Sequence, residues 1–257
     1  MTSSDDILSL PPPKADARVA YGADENQFID LRLPKGKGPH ALAIAIHGGY
    51  WRAKYDLGYM GHLCAALTAK GIATANLEYR RVGNAGGGWP GTFSDIRASY
   101  QLLTQNAHKY QLDTNHVAVI GHSAGGQLAL CLAAHETGVK AVVSVAGVVD
   151  LQRAYQLHLS NDAVVEFLGG KPAEVPDHYR EADPMKLKVS ALQWLAHGSA
   201  DDVVPVEFSR NYVSAKQANK ENAWLVEIAG AGHFDVIDPR TEAGNGVVRV
   251  VMGAVHG

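Results

Sequence analysis

No uninterrupted apolar stretch in the 257 residues comes near the roughly twenty that a helix needs to cross a bilayer, so no membrane span is expected. Cysteine is scarce. The two present, Cys64 and Cys131, sit in apolar helical patterns (GHLCAALTAK and LALCLAAH) with neither CxxC nor ligand spacing, which excludes a disulfide framework and suits buried core thiols. Neither sign of charge dominates: 23 Lys plus Arg stand against 26 Asp plus Glu, a net charge of -3. That balance offers no polybasic surface for nucleic acid or an anionic membrane, and it leaves small neutral or amphipathic molecules as the expected partners. The N-terminal MTSSDDILSLPPPKADA carries acidic residues where a secretory signal needs basic ones, and no apolar run of the required length, so a soluble cytoplasmic protein is expected. There is no internal repeat or low-complexity segment, and no mark of oligomeric state. A chain of this length can bury a full-sized core and fits one large α/β domain better than two small ones.

What is present centres on residues 116–130, HVAVIGHSAGGQLAL. A short apolar run ending at Ile120 enters Gly121-His122-Ser123-Ala124-Gly125, and a small-residue helical pattern follows at once. A G-x-S-x-G match recurs by chance, but strand before and helix after are the context in which it lifts a serine clear of a sheet. Gly121 and Gly125 then have a steric reason to be glycine, since such a turn leaves no room for a Cβ at its flanks. Ser123 is the candidate nucleophile; the competing reading is a glycine-rich turn that holds a phosphate or merely packs.

Around it, strand and helix alternate. Pro11-Pro12-Pro13 predicts an extended lead-in, with the first dozen residues an arm on the surface. Residues 18–22 and 27–34 read as strands forming an antiparallel edge, and 41–47 as a strand covered on both faces. A helix over 57–70 stops at Gly71, a strand covers 72–79, and after a glycine-rich loop a helix capped by Thr92 or Ser94 runs to about Tyr110. Residues 140–147 make another buried strand, so the sheet should be largely parallel. From about 150 to 188 the alternation breaks, with short helices expected at 151–158 and 161–168. An interruption of that length suggests a cap or lid insertion. Strands at 190–197 and 224–230 and helices at about 205–219 and 242–254 complete the chain.

In an open parallel sheet the chemistry gathers in loops at the carboxyl ends of strands. After Ser123, those loops carry Asp201 and Asp202, then His233, in the order Ser, Asp, His. A serine needs an imidazole to take its proton, and the imidazole needs a carboxylate to fix its tautomer. His233 fills the first role and one of the two aspartates the second, the other being free to cap a helix. Oxyanion donors are expected from the amide of Ala124 and from Gly49 and Tyr50 in the HGGYW loop at 47–51. Trp51, Trp89 and the 150–188 insertion are candidates for walls that bind substrate. His47, His122, His197 and His233 form no HExxH or i, i+4 ligand pair, so no metal and no cofactor is expected, and His122 and His197 read as structural hydrogen-bonders.

Taken together, HGGYW, GHSAGG, HGSADDVVP and AGHFD resemble the motifs of the α/β-hydrolase superfamily, in its esterase, lipase and arylformamidase (kynurenine formamidase-like) group. The resemblance implies an α/β-hydrolase fold across nearly the whole chain. The similarity of HGSADDVVP to the HG-x-x-D-x-x-V-P stretch of that superfamily implies that the acid is Asp201. The activity implied is serine hydrolysis of small carboxylic esters through an acyl-enzyme. Two alternatives are hydrolysis of aryl formamides like N-formylkynurenine and a non-catalytic ligand-binding protein on the same fold, against which the intact triad argues.

Overall fold

The computed structural model describes residues 4–256. Eight strands form one sheet: β1 (Ala17–Ala20), β2 (Phe28–Arg32), β3 (His40–Ile46), β4 (Ala73–Leu77), β5 (Leu112–His122), β6 (Ala141–Val145), β7 (Leu192–Gly198) and β8 (Ala223–Ile228). They lie in the order β1-β2-β4-β3-β5-β6-β7-β8. β1 pairs antiparallel with β2 and β2 with β4, while every later pairing is parallel. The antiparallel edge and parallel remainder match the pattern expected from sequence.

Covering both faces follows from the period of two along a strand. On β3, Leu42, Ile44 and Ile46 join one apolar cluster and Ala43 and Ala45 the other; on β5, Val117 and Val119 face one side, Ala118 and Ile120 the opposite. Helices α1 (Met60–Thr68) and α8 (Glu242–His256) cover the alanine face, through residues such as Leu63, Leu67, Val247 and Val251. Helices α2 (Gly91–Gln105), α3 (Ala124–His135) and α7 (Glu207–Ala218) cover the other. Cys64 and Cys131 lie fully buried, one on each face, and burial pushes the Cys64 thiol up to about 11.

Three local expectations are corrected. α2 begins at Gly91 without a side-chain cap and ends at Gln105; Ser94 Oγ turns back to the Pro90 carbonyl, and Thr92 Oγ1 is engaged with the Arg80 carbonyl and the Gly88 amide. Residues 150–188 hold three short α-helices and a 3-10 helix rather than two helices: α4 (Leu151–Gln156), α5 (Ala163–Leu168), α6 (Pro176–Ala182) and the 3-10 turn Pro184–Lys186. Proline at the first turn is compatible with a helix start, which is how α6 hides in a sequence that reads as punctuation. The segment before β1 is also no simple surface arm. Residues Ser4–Leu8 form a 3-10 helix whose Ile7 is wholly buried in the cluster that holds Tyr59, Met60 and Leu63.

Candidate active site

β5 runs straight into the turn at Ser123, which sits at φ 56° and ψ -122° and starts α3 at the next residue. A non-glycine residue at positive φ is strained by about 1–3 kcal/mol, and it persists where the surroundings fix it. Here they do. The Ser123 amide bonds the Val145 carbonyl of the neighbouring strand, and its own carbonyl accepts from Gly126 and Val148. A Cβ on Gly121 would lie 1.9 Å from the Gly125 carbonyl oxygen, and one on Gly125 would lie 2.2 Å from that of Ile46. Both glycines are therefore demanded by the turn, as the sequence suggested.

His233 follows β8 and Asp201 follows β7, so adjacent strands bring them together. His233 Nδ1 donates to Asp201 Oδ2 at 2.7 Å. Asp201 Oδ1 accepts from the amides of Val203 and Val204, at 2.9 and 2.8 Å, and His197 Nε2 lies 3.2 Å from Oδ2. Burial alone would raise this carboxyl, but the hydrogen bonds from His197 and His233, the charge of His233 and the Val204 amide hold it well below the ordinary carboxylate range. It is thus an anion at any working pH. Asp202 is exposed and caps no helix, α7 having Val206 at its N-cap. Ser123 and His233 border one cavity but are not hydrogen-bonded to each other, a common state for such pairs before substrate binds.

The HGGYW loop lies across from the turn. Gly49, Tyr50 and Trp51 all take positive φ, of 102°, 51° and 58°, which turns the chain sharply over Ser123. A Cβ on Gly48 would stand 2.7 Å from that of Ser123, so only glycine lets the loop approach. Among the described residues the amides of Gly49 and Tyr50 have no partner, and Ala124, first residue of α3, has an amide with none inside its helix. The hydroxyl of Tyr50 donates to the Val203 carbonyl at 3.0 Å, tying this loop to the one after β7, and burial beside Asp201 pushes it up to about 12.

A further connection has no signal in the sequence. The Gly48 amide donates to the Tyr59 hydroxyl (2.6 Å), Tyr59 donates to His122 Nδ1 (3.0 Å), and His122 Nε2 donates to the His233 carbonyl (3.0 Å). Burial, with the charge of His233 next in weight, pushes His122 well below the usual imidazole range and keeps it neutral. Tyr59 precedes α1 and reads as one more apolar position of a helix, so nothing marks it. Behind the loop, His47 stacks on Tyr79 and faces Glu78, whose carboxylate also takes Arg81 at 2.7 Å and the Leu57 amide at 3.1 Å.

The cavity that joins these groups measures about 180 Å3 and is bordered by Gly49, Tyr50, Ser123 and His233, with Leu8, Tyr55, Tyr59 and Phe234 as apolar walls. Larger depressions of about 510 and 560 Å3 contain none of the three residues Ser123, Asp201 and His233. Trp51 and Trp89 are not among the walls, which corrects the expectation. Trp51 is fully buried, stacked 4.5 Å from Phe167 with Nε1 donating to Gln127; Trp89 stacks 5.2 Å from Phe93 and borders a separate depression near Arg97 and His135. Residues 150–188 likewise contribute none of the described lining. They brace the far side of the HGGYW loop instead, where Arg52 pairs with Glu166 (2.7 Å) and reaches Ser160 (3.0 Å).

A mostly parallel sheet with helices on both faces and a strained serine between strand and helix defines an α/β-hydrolase. Within that superfamily the chain belongs to the BD-FAE family, whose model matches residues 29–215. Esterase LipC of Mycobacterium tuberculosis is 29% identical over 93% of this chain and 65% of its own length. Isoprenylcysteine alpha-carbonyl methylesterase ICME of Arabidopsis thaliana is 23% identical, over 93% of this chain and 61% of its own. The chain thus spans less than two thirds of these relatives. Among solved structures, a truncated carbohydrate esterase from gut microbiota superimposes with a TM-score of 0.83 at 22% identity, covering 96% of this chain and all of its own. An inhibited esterase B from Lactobacillus rhamnosis does so with 0.82 at 18% identity, covering 98% and 91%. At those identities the likeness is one of fold.

Proposed function

We propose that this protein is a serine carboxylesterase that hydrolyses small esters through an acyl-enzyme, using no cofactor. The observation that carries the reading is the buried 2.7 Å bond from His233 to an anionic Asp201, beside a serine held at positive φ in the same cavity. Asp201 keeps the proton of His233 on Nδ1, which leaves Nε2 as the base that takes the Ser123 proton. Ser123 Oγ attacks the ester carbonyl, and the negative oxygen that forms is received by the amides of Gly49, Tyr50 and Ala124, a contribution of about two to three orders of magnitude in rate for each such donor. His233 then protonates the departing alcohol, and water, deprotonated by the same imidazole, releases the acid. Relatives named as esterases support an ester over an amide as substrate.

The test is labelling by a fluorophosphonate probe at Ser123, followed by comparison of p-nitrophenyl acetate with N-formylkynurenine. Labelling together with faster turnover of the ester is the expected result. Labelling with a preference for the formamide replaces the substrate class and keeps the chemistry. Failure to label in a folded protein removes the serine mechanism and leaves a ligand-binding role.

A further inference from the structure

We propose that Leu8, carried on the N-terminal 3-10 helix, closes the acyl side of the catalytic cavity and sets the longest acyl chain the protein accepts. The proposal rests on the esterase reading above and adds to it the acyl length.

Leu8 is 41% exposed, unusual for a large apolar side chain, while its neighbour Ile7 is fully buried. Leu8 borders the cavity of Ser123 and His233. Its position is fixed rather than adventitious. Ile7 anchors the helix in the cluster beneath α1, the Leu10 carbonyl receives His62 Nε2 at 3.4 Å, and the Pro13 carbonyl receives Arg32 Nη2 at 2.6 Å. Pro12 packs so close to α1 that a Cβ on Gly61 would come within 2.6 Å of it. The segment is therefore anchored by buried Ile7 before Leu8 and stitched to α1 and β2 after it, and Leu8 is a wall of the site with a defined place.

Two depressions meet at His233, Phe234 and Val203. One is the 180 Å3 cavity, whose walls beyond the reacting groups are Leu8, Tyr55, Tyr59 and Phe234; the other, of about 430 Å3, is rimmed by Asp202, Gly232 and Asp235. His233 must hand its proton to the leaving alcohol, so the alcohol departs along the imidazole, toward the polar rim. The acyl chain is left with the apolar cavity. At roughly 30 Å3 for each water in the liquid, 180 Å3 is the space of about six waters, enough for a few carbons, with Leu8 among its apolar walls.

The experiment measures kcat/KM for p-nitrophenyl acetate, butyrate and octanoate with the full chain and with Leu8→Ala and Leu8→Trp. A second series fixes the acyl group as acetate and varies the alcohol. Wild type should fall by about tenfold or more from butyrate to octanoate, since a methylene misplaced in an apolar pocket changes rates by about 10-fold or more. Leu8→Ala should raise the octanoate-to-acetate ratio by about tenfold, and Leu8→Trp should lower the butyrate-to-acetate ratio by a similar factor. Opposite signs from the two substitutions cannot come from general destabilisation. Ratios that move in parallel for all three proteins overturn the proposal, as does a change confined to the alcohol series. If no ester is turned over and Ser123 takes no fluorophosphonate, the esterase reading fails first and this proposal falls with it.

Discussion

Removing the Ser123 hydroxyl deletes one small group at the edge of a cavity and leaves the turn's backbone bonds intact. Ser123→Ala should therefore keep its thermal midpoint while ester turnover falls by up to about 10⁶-fold, the scale of loss for a missing nucleophile. Retention of more than roughly a tenth of the rate would defeat the mechanism. The two neighbouring aspartates separate as sharply. Asp201→Asn presents an amide where His233 needs an anion and should cost on the order of 10⁴ in kcat through the wrong tautomer. Asp202→Asn changes an exposed side chain and should leave kcat within about twofold. Steady-state kinetics on one ester decides both, and a reversed order would move the acid to Asp202. Ser123, His233 and the Asp pair were legible because each follows a strand as a short polar group in an apolar surrounding. Tyr59, Tyr55 and Phe234 were not. Their side chains are ordinary apolar positions in sequence, and only the crossing of distant loops turns them toward one cavity.

Strands were easier to read than the segments between them, for a physical reason: a strand buried on both faces reads as a nearly continuous apolar run, so β3 and β6 announce themselves. In the 3-10 helix at Ser4–Leu8, Ile7 is buried between Asp6 and a largely exposed Leu8, and one buried residue has no period. The sequence of 150–188 marks a break in the alternation, but nothing in its composition sets the side of the sheet on which its helices lie. At the junction after α6, Asp183 is fully buried, and burial, with the charge of Asp150 second, pushes its carboxyl from the ordinary 3.8 up to about 6 against the pull of the Leu151, Met185 and Gln152 amides. A raised carboxyl favours the fold fully below pH ~4, and that contribution is lost as pH rises through about 6. Asp183→Asn should remove this dependence, so that its stability relative to wild type improves between pH 4 and pH 8 by on the order of 1–3 kcal/mol. Urea denaturation at the two pH values measures it. An equal difference at both would mean that Asp183 does not titrate in this range. Asp201 has the opposite sign: its lowered carboxyl stabilises the fold above the ordinary carboxylate range and loses that effect as pH falls through its folded value.

At the scale of the whole molecule, histidines collect at the carboxyl ends of the strands yet spend their nitrogens on one another's loops. His47 engages the Gly48 carbonyl and Glu78, His122 engages Tyr59 and the His233 carbonyl, and His197 engages Ser209 and the Val204 carbonyl. Among the described residues no group of three or more His, Cys, Asp or Glu side chains is arranged to hold a metal ion. Incubation with EDTA should leave ester turnover unchanged, and a loss restored by a divalent ion would show that these rings are ligands. No helix among the described residues is long and apolar enough to cross a membrane.

The described segment also has its two ends on opposite poles of the sheet. Leu8 borders the cavity at the carboxyl ends of the strands, whereas His256, last residue of α8, lies with its ring 6.3 Å from that of His116, just before β5 resumes its pairing with β3 at Val117. Attachment to a solid support through the α8 end would hold the cavity mouth away from the surface and free to substrate. Attachment ahead of the 3-10 helix would bring the Leu8 side of the cavity toward the support. Immobilised preparations made the two ways should differ in apparent turnover for bulky esters more than for acetate, by orientation alone.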